Sequence, residues 1–166
     1  LIYVQQKKID LALEYYNKGI EAEPNFAMIY NNLGLLYAHN KKDKDKAEKY
    51  YKKAILLNQK IPEPHNNLAS LYKTQDKFEE AIEYYKKAIS IDVKFAAAYH
   101  NLGNIYISKG DFQEAKKNIR KAIELNDKYS ISHRTLSRLI KYTVKDEHFT
   151  QLKKIYKKNE EKNAFD

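Results

Sequence analysis

The sequence predicts an all-α chain of helix–turn–helix units stacked one on the next as a solenoid. Three observations carry that reading. An eight-residue segment recurs: Tyr30-Asn31-Asn32-Leu33-Gly34-Leu35-Leu36-Tyr37, His65-Asn66-Asn67-Leu68-Ala69-Ser70-Leu71-Tyr72 and Tyr99-His100-Asn101-Leu102-Gly103-Asn104-Ile105-Tyr106. A second segment recurs between these, as Ala47–Ile55, Ala81–Ile89 and Ala115–Ile123. The 166 residues also include only 4 Gly and 3 Pro, too few for the tight turns of a β-rich chain.

Leu68 and Leu102 lie 34 residues apart and Leu33 and Leu68 lie 35 apart, so one unit carries an extra residue, expected in the polar turn Asn40–Asp45. Within each first helix, Leu33 and Tyr37 are spaced i and i+4 and share a face. Gly34, Ala69 and Gly103 mark where the second helix comes close, with Ala47, Ala81 and Ala115 as the small residues opposite. A glycine in mid-helix costs roughly 1 kcal/mol against alanine, so its presence there implies a packing gain. Tyr51, Tyr85 and Ile119 fill the space between neighbouring repeats. The pattern of an aromatic, Leu-Gly, Tyr, then Ala, an aromatic and Ala resembles the tetratricopeptide repeat (TPR) family. That resemblance implies a right-handed α-α superhelical solenoid in which each repeat contacts its neighbours.

The predicted helices span 9–22, 27–39, 45–58, 63–74, 78–90, 96–108, 112–124, 129–142 and 147–159, with Asp10, Asp92 and Asp111 as helix-start residues. Residues 9–24 repeat the second helix, with Ala12, Tyr16 and Gly19 in place of Ala81, Tyr85 and Ala88, and Pro24 ends it. Leu1–Gln5 read as the remnant of the helix before, with Tyr3 in the register of Tyr37. At the other end Leu136-Ser137 keep the beat, but Ile140 replaces Tyr106 and Phe149 replaces Ala115, so the last helix is expected to sit differently. The expected organisation is a TPR array over residues 1–142, comprising a partial repeat 1–26, repeats 27–61, 62–95 and 96–129, and a degenerate repeat from 130. A capping or linking helix is expected over 143–166. Leu1 is not a start methionine, and the chain reads as part of a longer protein with repeats before it.

Several chemistries have no residues to carry them. The absence of cysteine excludes disulfides, thiolate nucleophiles and cysteine-ligated metals. No apolar run approaches the roughly 20 residues of a membrane span. Leu1–Val4 are followed at once by Gln5–Lys8 without a cleavage site, which argues against a signal peptide and for a cytoplasmic location. HExxH, GxSxG, glycine-rich phosphate loops and dinucleotide fingerprints are missing. His39, His65, His100, His133 and His148 lack a recurring carboxylate partner, and His65 and His100 read as related groove-side residues one register apart. His39 with Asp43 reads as an incidental turn contact, and Asp43 and Asp45 lack the calcium-loop order. The expectation is a non-enzyme with no metal, no cofactor and no membrane partner.

The formal charge of +9 admits nucleic acid as a partner. Against it, Lys52–Lys53, Lys86–Lys87 and Lys116–Lys117 sit beside acids, as on solvated helix faces, and the tyrosines hold repeat-defining positions. In TPR arrays the first helices line a concave groove. By that resemblance the groove carries Met28, Asn31, Asn32, Leu35 and His39, then Glu63, Asn66, Asn67, Ser70 and Lys73. Ala97, His100, Asn101, Asn104 and Ile107 follow, then Ile131, Arg134, Thr135, Arg138 and Lys141.

Asn32, Asn67 and Asn101 form a column one place before the repeated leucine. Asparagine is a poor helix former, and its amide offers two donors and an acceptor. Such a column suits the backbone of an extended peptide, or bonds across neighbouring helices; both readings stand. The column resembles the asparagine ladder of the O-linked N-acetylglucosamine transferases. The candidate peptide-binding residues are Asn32, Asn67 and Asn101 with Asn31, Asn66, His100 and Asn104. A co-chaperone type of carboxylate clamp is disfavoured, because Asn31 and Leu35 stand in the places of its first lysine and asparagine, and Glu63 and Ala97 where bases are wanted.

Arg134, Arg138 and Lys141 form a stripe at i, i+4 and i+7, bracketed by His133 and His148, and are the candidate anion contact. A solvated terminal face, or a seam with a missing downstream domain, is the alternative. The stretch from His133 to His148 also resembles the close of the repeats in bacterial proteins that continue into a sulfotransferase-like domain. The expected function is a protein–protein interaction scaffold holding an extended peptide or partner protein. The alternatives are a substrate-recruiting module of a bacterial sulfotransferase or glycosyltransferase, and a nucleic-acid-binding helical repeat. Self-association is a further expectation, through an N-terminal end exposing Tyr3 and Tyr16.

Overall fold

The computed structural model describes residues 2–140 and Lys154, with side chains described from Lys8 onward in that span. Among the described residues there are eight α-helices and no strand: α1 (Ile2–Ala22), α2 (Ala27–Leu36), α3 (Lys44–Leu57), α4 (Pro62–Lys73), α5 (Phe78–Ile91), α6 (Ala96–Ser108), α7 (Phe112–Leu125) and α8 (Ser130–Leu139). The chain divides into two compact units between Val93 and Lys94. In the first, α2 pairs with α3 and α4 with α5, while α1 packs on α2 and α3 on α4. In the second, α6 pairs with α7, and α8 packs on α7.

The repeat-defining residues are the core. Leu33, Ala47, Tyr51, Ala54, Leu68, Ala69, Ala81, Tyr85 and Ala88 are buried in the first unit, and Leu102, Ala115, Ile119, Ala122 and Leu136 in the second. The close approach expected at the small positions is tighter than a meeting of two small residues. A Cβ on Gly34 would lie 2.5 Å from Cδ1 of the Tyr51 ring, and one on Gly103 would lie 2.7 Å from Cδ1 of Ile119. The large side chain of the second helix therefore rests on bare backbone of the first. In the middle repeat the same position accommodates Ala69, and the neighbouring Ser70 holds the Tyr85 hydroxyl at 2.8 Å.

The extra residue of the first repeat is taken up where α2 runs into the polar turn. Tyr37–Lys41 widen into a π-helical turn, closed by the Asp43 N–H donating to the Tyr37 carbonyl at 3.0 Å. Lys42 then takes the left-handed conformation, φ 52°, and turns the chain into α3. A π-turn absorbs one residue without breaking the helix, so α2 keeps its packing register.

Three details correct the sequence reading, and two caps are in place. Asp43 caps α3 by accepting the Lys46 N–H at 3.0 Å. Asp111 caps α7 as expected, accepting the Glu114 N–H at 3.1 Å. Asp10 instead lies inside α1, which runs without a break because Gln5–Lys8 are good helix formers with no Gly or Pro among them. Asp92 closes α5 at its C-terminus, and α8 stops at Leu139, where Ile140 turns extended at φ −131° and ψ 148°. The Tyr3 side chain, Lys141, His148, Phe149 and, save for helical Lys154, the expected helix 147–159 lie outside the described residues.

Gly34→Ala tests the contact with Tyr51. The added methyl gains roughly 1 kcal/mol of helix propensity, but overpacking a buried ring costs about 1–3 kcal/mol. A net loss of up to about 2 kcal/mol is expected in a denaturant melt; a more stable variant would contradict the geometry.

Candidate functional site

Three first helices begin with the same device. The Tyr30 hydroxyl donates to the Pro24 carbonyl at 2.9 Å, His65 Nε2 to the Gln59 carbonyl at 3.4 Å, and His133 Nε2 to the Asp127 carbonyl at 2.8 Å. Each donor reaches six residues back and ties the preceding turn to its own helix. His65 is therefore the counterpart of Tyr30 and His133, and its role is that of a turn clamp. It is buried, at 5% exposure, and its Nδ1 has no partner among the described residues. Burial holds its pKa below the usual histidine value, with the nearby Lys87 charge adding to the effect and the Gln59 carbonyl opposing it.

The next register along is buried. Asn31, Asn66 and His100 are 2%, 9% and 3% exposed. In the first unit the Asn67 Nδ2 donates to Asn31 Oδ1 across the seam from α4 to α2 at 2.9 Å. Asn66 Nδ2 donates to Asn67 Oδ1 at 3.3 Å. In the second unit His100 is held at both ring nitrogens, with Ser132 Oγ 2.9 Å from Nδ1 and Asn104 Nδ2 2.8 Å from Nε2. With Asn104 donating to Nε2, the neutral ring carries its proton on Nδ1 and donates to the fully buried Ser132. Asn32, Asn67, Asn101 and Asn104 remain half-buried, with surface open to solvent.

In the first unit this face holds a groove of about 300 Å³. Leu35, Ala38 and Leu71 give it an apolar wall, and Asn67, Ser70, Tyr51 and Lys44 supply the polar groups. The Lys44 ammonium donates to the Thr74 carbonyl at 3.0 Å, which fixes it at the rim. Tyr51 and Lys44 were missed by sequence reasoning; the available signal was that Leu35 replaces Ser70 beside an equivalent tyrosine.

In the second unit Arg134 and Arg138 are exposed and line a cavity of about 390 Å³ with Lys128, Ser130, Ser137 and Asp127. They are two of only three arginines in the chain, and neither pairs with an acid among the described residues. The second helices differ. Lys52 pairs with Glu48 at 2.7 Å, Lys87 with Glu83 at 2.6 Å, Lys117 with Glu114 at 3.1 Å and Lys121 with Glu124 at 2.7 Å. Much of the positive charge on that side is thus balanced within one helical turn, which weighs against a phosphate-tracking surface. No helix among the described residues is long and apolar enough to cross a membrane. Among those residues no group of three or more His, Cys, Asp or Glu is placed to hold a metal ion.

Paired helices recurring at this spacing, with a large second-helix residue on a small first-helix one, define a helical-repeat protein. The chain belongs to the tetratricopeptide-repeat family, whose sequence models match residues 1–41, 25–92 and 96–129. Domains of this family are typically protein-interaction modules. None of the curated proteins matches the chain in sequence. Among solved structures, the crystal structure of MamA superposes with a TM-score of 0.73 at 25% identity, covering 96% of this chain and 94% of that one. The Arabidopsis OM64 TPR domain gives 0.65 at 25% identity over 72% of this chain and 99% of its own. The first TPR of Spaghetti (RPAP3), bound to the HSP90 peptide SRMEEVD, shares the fold at 0.64 and 24% identity, over 69% and 90%.

The buried His65 makes stability depend on pH. Its pKa is depressed in the folded state, so between that value and the unfolded value of about 6.5 the unfolded chain binds more protons. The His65 contribution is complete above the unfolded pKa and is lost as pH falls through the folded one. Denaturant melts from pH 7 to pH 5 should show the native chain losing more stability than His65→Gln, which keeps a donor without the titration. Parallel curves would contradict this.

Proposed function

We propose that the chain is a protein-interaction module that takes an extended peptide along the face of its first helices. The observation that carries this reading is the Asn67 amide on the wall of the groove in the first unit. One Asn67 N–H is used by Asn31 and its carbonyl accepts from Asn66, so the side chain is held in one orientation. A second N–H and a second carbonyl lone pair remain for a ligand. A peptide backbone presents the complementary acceptor and donor whatever its side chains, so contact through such an amide is tolerant of sequence. Pre-orientation by the seam lowers the entropy lost on binding.

In this reading Asn31 and His100 support the site from seams within their own units, and Asn66 supports it through its bond to Asn67. Direct contacts fall to Asn32 and Asn67 in the first unit and to Asn101 and Asn104 in the second. Arg134 and Arg138 add charge contacts to acidic ligands through bidentate pairing, while Lys141 lies outside the described residues and past the end of α8. Of the three residues of the column, Asn67 bonds across a seam and also lines a groove, which is the combination this reading rests on.

Heptapeptides enriched from a random phage-displayed library, titrated by calorimetry, provide the test. Asn67→Ala is expected to weaken binding about five- to tenfold, by a similar factor for peptides of different sequence. Arg134→Gln should weaken acidic peptides alone, with an effect that shrinks as salt is raised. Unchanged affinity in Asn67→Ala would leave the asparagines with a structural role only.

A further inference from the structure

Tyr51 and Tyr85 occupy equivalent places in α3 and α5, and each is 1% exposed. Their hydroxyls meet different fates. That of Tyr85 is paired with Ser70 at 2.8 Å. In the preceding repeat the place of Ser70 is taken by Leu35, and the Tyr51 hydroxyl makes no hydrogen bond among the described residues. A hydroxyl on a buried ring left without a partner is unfavourable unless something else satisfies it. This one is not sealed inside the core, because Tyr51 forms part of the lining of the 300 Å³ groove between α2 and α4.

The rest of that groove indicates what would satisfy the hydroxyl. Leu35, Ala38 and Leu71 offer an apolar wall, and among the described residues no Asp or Glu lines it. Lys44 spends one N–H on the Thr74 carbonyl and keeps two others. The exposed His39 adds a second nitrogen base at the edge. Ligand pockets run from roughly 300 to 1,000 Å³, and one at the small end has room for a single side chain.

We propose that this groove is a side-chain pocket for one acidic residue of the bound segment, a glutamate or aspartate whose carboxylate accepts the Tyr51 hydroxyl and pairs with Lys44. Its methylene stem lies on Leu35, Ala38 and Leu71. The Tyr51 phenol, pushed up to about 12 by burial, stays protonated at neutral pH and keeps a donor that a carboxylate can accept. The pocket rests on the peptide reading above and adds selectivity to it: the asparagines hold any backbone, and Tyr51 with Lys44 fixes the register of one acidic residue.

The test uses the random heptapeptide library on the whole chain and on Tyr51→Phe, with Tyr85→Phe as a control. Peptides enriched by the native chain should carry Glu or Asp at one fixed position. Tyr51→Phe should melt at or slightly above the native temperature, since the lost hydroxyl had no partner, and should bind an enriched peptide about tenfold more weakly. The same peptide with that acid changed to Gln should bind the native chain and Tyr51→Phe alike, and Tyr85→Phe should keep the preference for acid. Enriched peptides without an acidic position, or equal affinity of the native chain and Tyr51→Phe for the acidic peptide, would overturn the pocket and leave the peptide reading standing. Enrichment of no peptide at all would overturn both.

Discussion

Each helix pair depends on the contact between a large second-helix side chain and the first helix beneath it. Where Tyr51 lies on Gly34 and Ile119 on Gly103, the distances leave no room for even a methyl group. That approach brings the alanines at Ala47, Ala54, Ala115 and Ala122 to zero exposure. It also places the large residue at the floor of the first-helix face. The glycines give up helix propensity for this closeness, and the burial they permit outweighs it. In the first repeat the tyrosine in that position also lines the groove between α2 and α4.

Polar groups in the seams finish what packing begins. Tyr30, His65 and His133 tie each first helix to the turn before it, and Asn31 with Asn67, or His100 with Ser132, link one first helix to the next. Buried polar groups of this kind add little net stability, but they allow few alternative registers, since any slip leaves an amide or imidazole unpaired. The same bonds orient Asn67 and Asn104 at the accessible surface. Structural and binding roles are thus divided between adjacent positions on one helix, not between separate parts of the molecule.

The sequence made the repeat legible because glycine, alanine, leucine and tyrosine recur where their sizes are dictated by contact. It did not reveal the π-turn at Tyr37–Lys41, because a polar stretch tolerates one extra residue at several places and only the packing of α2 against α3 selects among them. Asp10 and Asp92 misled for a related reason: aspartate favours helix starts, yet it also occurs within and after helices, and composition alone does not separate these cases. The split between buried Asn31 and accessible Asn32 was hidden because adjacent helix positions differ by about 100° in direction, and which one meets the neighbouring repeat depends on how the repeats stack. Tyr51 was legible as a core residue. Its unpaired hydroxyl became meaningful only once Ser70 was seen holding Tyr85.

The central claim is that the first-helix face, and not the lysine-bearing second helices, receives the partner. Intermolecular nuclear Overhauser contacts between the chain and a bound, library-enriched heptapeptide measure this directly. The account requires contacts from the peptide to Leu35, Ala38 and Leu71 and to the Asn67 side-chain amide, with none to the exposed Lys52 or Lys86. Contacts confined to Lys52, Lys86 and the outward turns of α3 and α5 would contradict it.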